Sequence, residues 1–148
     1  MKRILAIALV LASTFVVAGT SSAQQHRVKA TVPFNFTVGD FTLPPGTYTI
    51  DSTWNSPDVL VLRNWDTGIK VVTTGRSNQS NPQGVNALVF HHYGNQYYLS
   101  QICSEGASMN IDFSATKAEK KAWSLVTWTQ AQLGEPIVND RVLIALNQ

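Results

Sequence analysis

Residues 32–50 read VPFNFTVGDFTLPPGTYTI, and this stretch shows the pattern on which the fold assignment depends. Apolar and polar residues alternate over residues 32–38, which is the pattern of a strand with one buried face. Gly39-Asp40 predicts a turn, and Pro44-Pro45-Gly46 predicts a sharp stop, because proline fixes φ and glycine permits the reversal. The alternation then resumes from Tyr48. Because each residue has a structural role of this kind, we interpret the stretch as scaffold.

Short apolar runs separated by turn residues predict further strands at residues 59–63, 69–74, 85–93 and 96–103. Together they predict an all-β fold, an antiparallel meander that forms a small sandwich or barrel.

The last two runs flank Gly94-Asn95, a two-residue turn typical of β-hairpins. This turn predicts a core face with Phe90 opposite Leu99 and His92 opposite Tyr97. The other face, with Val89 opposite Ser100 and His91 opposite Tyr98, is predicted to be partly exposed.

One helix is predicted at about residues 116–131. Thr116 and Glu119 have capping-box spacing, in which a hydroxyl and a carboxylate satisfy free amides at the helix start. Gly134 and Pro136 predict the stop. An apolar stripe at helical spacing is expected to cover one face or end of the sheet; it consists of Ala118, Ala122, Leu125 and Trp128. Residues 141–146 are apolar enough to form a final strand.

The first 23 residues have the features of an export signal. Lys2 and Arg3 precede an apolar run over residues 4–17, and Ser21-Ser22-Ala23 supplies the small residues of a cleavage site. The run is shorter than the roughly 20 residues that a membrane-spanning helix needs. We therefore expect residues 1–23 to be removed as a signal peptide. This leaves a single β-rich domain, residues 24–148, which is periplasmic or extracellular and has no stable membrane span.

The composition of the mature chain bears on its partners and on what stabilises its fold. Without Lys2 and Arg3, nine basic and nine acidic residues remain. A neutral chain gives no electrostatic reason to expect nucleic acid or anionic lipid as a partner. Cys103 is the only cysteine, so no internal disulfide is possible and stability must come from packing.

Two segments of the chain resemble a group of small exported bacterial proteins of unknown function. These proteins share a PF-x-F-x-V-G…LP-x-G-x-Y segment and a later FH-x-YG-[DN]-x-Y-x-LS hairpin. The matching residues here are Pro33, Phe34, Phe36, Val38, Gly39, Leu43, Pro44, Gly46 and Tyr48, then Phe90, His91, Tyr93, Gly94, Asn95, Tyr97, Leu99 and Ser100. The resemblance implies export and a β fold, but no reaction.

His91 and His92 are the residues on which an enzyme hypothesis would depend. Adjacent strand residues point to opposite faces, so the two cannot jointly hold one ion on a regular strand. We therefore expect no metal and no cofactor, and we assign no catalytic residue. Cys103 is interpreted as a small buried hydrophobe rather than a nucleophile, because no signature of a catalytic cysteine accompanies it.

Aromatic residues beside the predicted turns are the candidate ligand contacts: Trp54, Trp65, Tyr93 and Tyr98. Such rings stack on sugars or peptides, but they also close the ends of cores. The leading hypothesis is a non-catalytic exported β domain that binds an unknown protein or glycan of the cell envelope, or has a structural role there. The alternative is a small secreted, hydrolase-like enzyme that uses His91 or His92. The binding hypothesis requires a clustered, exposed aromatic patch.

Overall fold

The computed structural model describes residues 26–53, 55–78, 84–134, 136 and 140–147. Within these ranges the chain forms eleven strands and one helix: β1 (Arg27–Val32), β2 (Phe36–Val38), β3 (Phe41–Leu43), β4 (Gly46–Thr53), β5 (Ser56–Asn64), β6 (Lys70–Thr74), β7 (Arg76–Ser77), β8 (Ala87–Tyr93), β9 (Gln96–Ser104), β10 (Met109–Asp112), α1 (Lys117–Leu133) and β11 (Asp140–Asn147). The predicted all-β class with one C-terminal helix is confirmed. The predicted signal peptide, residues 1–23, lies outside the described residues.

The strands form a sheet that closes almost completely into a barrel. Its wall runs in the order β9, β8, β11, β1, β4, β5, β6. After β6 the chain continues through Gly75 into β7, which pairs with β10, and β10 returns the pairing to β9. A Cβ atom on Gly75 would lie 2.2 Å from Ile111 Cγ2, so only glycine fits between these strands. The hairpin β2–β3 lies beside the first part of β9.

Two pairings depart from the predicted antiparallel meander. β2 runs parallel to β9, with Thr37 opposite Tyr98. β11, which confirms the predicted final strand, is inserted between β8 and β1. The segments β4–β5–β6 and β8–β9–β10 do follow the meander pattern. The alternation of residues therefore located most of the strands. It did not identify β7 or β10, and the run over residues 32–38 is not one strand, because β1 ends at Val32 and β2 begins at Phe36. The alternation also carries no information about which distant strand pairs with which.

The opening stretch supplies the centre of the core. The ring of Phe36 lies edge-on to Tyr48, with ring centres 5.1 Å apart, and to Phe90, at 5.3 Å. All three side chains are buried. The Tyr48 hydroxyl donates a hydrogen bond to the Pro44 carbonyl at 2.5 Å, which satisfies the polar end of a buried tyrosine.

The hairpin β8–β9 has the predicted register next to its turn. Phe90 lies opposite Leu99, His91 opposite Tyr98 and His92 opposite Tyr97. Gly94 has a φ of 61°, which a two-residue primed turn requires. A bulge between Val89 and Phe90 then shifts the pairing, so Val89 lies opposite Gln101 rather than the predicted Ser100.

The helix begins and ends where the sequence predicts. The hydroxyl of Thr116 accepts a hydrogen bond from the Glu119 amide at 3.1 Å, and Gly134 ends the helix in the left-handed conformation. The predicted capping box is only half formed, because the Glu119 carboxylate turns toward the sheet instead of the helix start. Among the described helices none has the length and apolar character that crossing a membrane requires.

The predicted apolar stripe of α1 is wrong as a packing surface. Leu125 is 60% exposed and Trp128 is 69% exposed, although both were expected to cover the sheet. The side of the helix that faces the hairpin carries Glu119, which is buried, and Val126. Helical spacing alone does not distinguish a buried stripe from an exposed one. Here the buried side of the helix carries a charged residue.

Candidate functional site

The aromatics predicted to contact a ligand lie in separate regions. Trp65 follows β5 and is 62% exposed, and its Nε1 donates a hydrogen bond to Thr49 Oγ1 at 2.5 Å. Tyr93 and Tyr98 lie together on the hairpin β8–β9, with ring centres 6.0 Å apart, and both are buried. Trp54 lies outside the described residues. The structure therefore brings Tyr93 and Tyr98 together but not with Trp65, and these three do not form one exposed patch.

The outer face of the β8–β9 hairpin, which points away from the barrel core, is covered by α1. Glu119 Oε1 lies 2.8 Å from His91 Nδ1. Near the turn, a Cβ atom on Gly94 would meet Val126 Cγ2 at 3.9 Å. Tyr98 on this face is only 5% exposed. The prediction that this face is partly exposed is therefore wrong at Tyr98, because the helix shields it, and it is also wrong at Val89 and Ser100, which are buried. Only His91 is partly exposed as predicted.

The two tyrosines under the helix are held in their neutral form. Burial raises the pKa of Tyr93 and of Tyr98 above the usual 10.0, and the negative charge of Glu119 raises both further. Arg141 offsets part of the increase in the pKa of Tyr93. The hydroxyl of Tyr98 donates a hydrogen bond to Gln96 Oε1 at 2.5 Å. Near neutral pH both phenols are therefore protonated and do not act as bases.

His92 lies on the other face of the hairpin from His91, as adjacent strand residues must. Its ring stacks on Tyr97 with centres 4.3 Å apart, and Tyr97 stacks in turn on Phe34 at 3.9 Å. Both faces of the Tyr97 ring are therefore covered. Within the described ranges no three His, Cys, Asp or Glu side chains come together in a group that could hold a metal ion.

Cys103 lies on β9 opposite Ala87 of β8. Burial raises the pKa of its thiol above the usual 9.0, and the negative charge of Asp112 raises it further. Because the thiolate is the nucleophile, this environment disfavours the reactive form. The prediction that Cys103 is buried is wrong in degree, because the side chain is only half-buried on β9.

A cleft of about 590 Å³ separates α1 from the β2–β3 hairpin, and we call it the α1 cleft. Its sheet wall carries amide and hydroxyl side chains, namely Asn35, Thr37, Thr42 and Gln96. The helix wall carries small and apolar ones, Ala118, Ala122 and Leu125, together with one cation, Lys121. One wall therefore offers hydrogen-bonding groups and the other offers apolar surface, a combination common in ligand sites.

The α1 cleft has no net charge from its lining. Asp40 and Lys121 are the charged residues that line it, and their charges are opposite. Thr37 and Thr42 lie side by side across the hairpin, with their hydroxyl oxygens 3.3 Å apart. Tyr98 reaches the cleft from β9, so one of the predicted aromatic contacts does line it. Its lining therefore suits an uncharged ligand with many polar atoms.

The exposed side of α1 is a second surface that the sequence did not identify. We define the outer face of α1 as Lys117, Lys121, Leu125 and Trp128, which lie along one side of the helix at spacings of three and four residues. All four side chains are exposed. The signal that distinguishes this side from a core stripe is the presence of Lys117 and Lys121 on it.

Comparison of the chain with protein families, curated proteins and solved structures finds no match. The α1 cleft itself has no sequence signature. Its walls come from residues 35–42, 95–98 and 118–125, which only the folded chain brings together.

Proposed function

We propose that the protein is a non-catalytic, exported β domain of the cell envelope that binds an extended protein segment in the α1 cleft. This proposal rests on the chemical difference between the two walls of the cleft, a hydrogen-bonding sheet wall and a largely apolar helix wall. An extended peptide presents backbone amides and carbonyls along its edges and side chains to alternate sides. Amide side chains such as Asn35 and Gln96 both donate and accept hydrogen bonds, so they complement such a backbone.

The aromatic rings favour a peptide over a sugar as the ligand. A sugar ring packs best on an open aromatic face, but Tyr97 is covered on one face by Phe34 and on the other by His92. Tyr98 is nearly buried and its hydroxyl is already bonded to Gln96. The cleft therefore presents ring edges and polar atoms to a ligand. Export remains supported by the features of residues 1–23 and by the resemblance to exported proteins.

The experiment is selection of phage-displayed random peptides on the purified mature protein, followed by calorimetric titration of the enriched peptides. Thr42 is exposed at the mouth of the cleft, and Thr42→Arg would fill the space between the walls. We expect this variant to weaken peptide binding by about tenfold or more. Trp65→Ala, which changes another exposed side chain outside the cleft, is the control and should bind normally. Binding that survives Thr42→Arg would contradict the proposal, and so would binding of cell-wall sugar polymers without any peptide.

The hydrolase alternative is favoured by one observation, the contact between His91 and Glu119. A carboxylate at Nδ1 orients an imidazole whose other nitrogen is then free to accept a proton. The same contact, however, joins α1 to the sheet, which is a sufficient structural role. Assays with chromogenic ester and peptide substrates distinguish the two: activity that disappears in His91→Ala while the fold stays intact would favour the enzyme.

A further inference from the structure

The outer face of α1 carries basic and aromatic side chains. The opposite side of the helix packs against the β8–β9 hairpin. Lys121, Leu125 and Trp128 follow at spacings of four and three residues, so they form one continuous ridge. Glu119 and Val126 lie on the opposite side, toward the hairpin. Nothing else in the described chain covers the ridge, and Trp128 is the most exposed of the large hydrophobic residues there.

This surface carries a local positive charge that the neutral composition of the chain conceals. Lys117, Lys120 and Lys121 are exposed, and none of them forms an ion pair with a carboxylate in the described residues. The acidic residue of the helix, Glu119, is buried against His91. The helix therefore presents three lysines that form no ion pair within the described residues, and two of them, Lys117 and Lys121, share the outer face of α1 with the exposed Trp128.

We propose that α1 lies on an anionic lipid surface, with its axis along the membrane plane. Lysine ammonium groups are attracted to anionic headgroups, and tryptophan prefers the boundary between headgroups and acyl chains. An amphipathic helix with lysines and exposed Trp and Leu side chains binds membranes in this orientation. The charge complementarity favours a lipid surface over a second copy of the chain, because two copies would oppose like-charged lysines.

The test is flotation of the purified mature protein with two kinds of vesicle, pure phosphatidylcholine and phosphatidylcholine mixed with phosphatidylglycerol. We expect the protein to float with the mixed vesicles, to remain behind with the neutral ones, and to be released by added salt. Trp128→Ala and Lys120→Glu should each weaken binding to mixed vesicles by about tenfold. Trp65→Ala is the matched control, because it removes an exposed tryptophan at a distant turn and should float normally.

Three outcomes would overturn the inference: failure to float with the mixed vesicles, equal binding to neutral vesicles, or undiminished binding by Trp128→Ala. A dimer seen by sedimentation and lost in Trp128→Ala would assign the surface to a second copy instead. Thermal melts of each variant show whether the fold is intact, which is expected because both side chains are exposed. Trp128 and Lys120 do not line the α1 cleft, so peptide titration of these variants tests the proposed function independently.

Discussion

The two faces of the β8–β9 hairpin are both buried, but by different means. The inner face packs Leu88, Phe90 and Leu99 into the barrel core, where their contacts are apolar. The outer face carries His91 and Tyr98, and it is covered by α1 through a hydrogen-bonded carboxylate. Apolar packing depends on many close contacts spread over the core, whereas the helix is held at few points. We infer that the inner face determines global stability and that the outer face can open locally.

The largest effect is expected from Phe90→Ala. Phe90 is fully buried and its ring contacts Phe34 and Phe36 edge-on, with ring centres 5.3 Å away in each case. Truncation removes these contacts and leaves a cavity, which lowers the free energy of unfolding by about 3 to 5 kcal/mol. Urea denaturation measures this directly. A loss no greater than that of an outer-face variant would show that the core lies elsewhere.

Tyr98→Ala should be milder than Phe90→Ala. The Tyr98 side chain is shielded by a helix that can adjust its position, so the cavity can partly collapse. We expect the free energy of unfolding to fall by about 1 to 3 kcal/mol. If the urea melts ranked Tyr98→Ala as the more damaging variant, the assignment of the inner face to the core would be wrong.

Glu119→Ala should release the helix rather than unfold the barrel. The substitution leaves His91 Nδ1 without its partner, at a cost of about 1 to 2 kcal/mol. Hydrogen exchange should then be faster for the amides of α1, while those of β8 and β9 keep their protection. Lys120→Ala, an exposed neighbour on the same helix, is the control. Equal loss of protection in helix and strands would mean that the two faces open together.

The smallest expected effect is a loss of folding stability at high pH. Burial raises the pKa of Tyr48 on the core side, and of Tyr93 and Tyr98 on the outer side, above 10.0. Because the folded state favours the neutral phenols, their contribution to stability is complete below pH 10.0 and is lost as the pH rises through the folded-state values.

An ultraviolet titration of phenolate formation tests this difference between the faces. Tyr93 and Tyr98 should ionise first, when α1 opens, and Tyr48 should ionise only with global unfolding. The variants Tyr93→Phe and Tyr98→Phe identify the early ionisation step, because each variant lacks one of the two phenols that ionise in it. Ionisation of all three near pH 10.0 in the folded protein would contradict the burial of both faces.

Local patterns predicted most of the strands, the hairpin register near Gly94 and the limits of the helix, because turns and caps depend on neighbouring residues. The short strands β7 and β10 were missed. The partners of β2 and β11 were not predictable. The alternation within a strand shows which of its faces is buried, but it does not show which distant strand lies beside it. The side of α1 that packs against the sheet was predicted wrongly for a related reason. Its most buried residue is Glu119. A carboxylate is rarely buried without a partner, and no sequence pattern identified that partner.

The position of β11 has a consequence for how the chain reaches its folded state. This strand follows all the other described strands in the sequence, yet it lies between β8 and β1, with Lys29 beside Asn147. The wall therefore cannot be completed before β11 has been synthesised, and pairing across so much chain is slow. Until then β1 and β8 expose unpaired backbone edges that other chains can join. A chain cut before Asp140 would leave both edges unpaired and would be prone to aggregate.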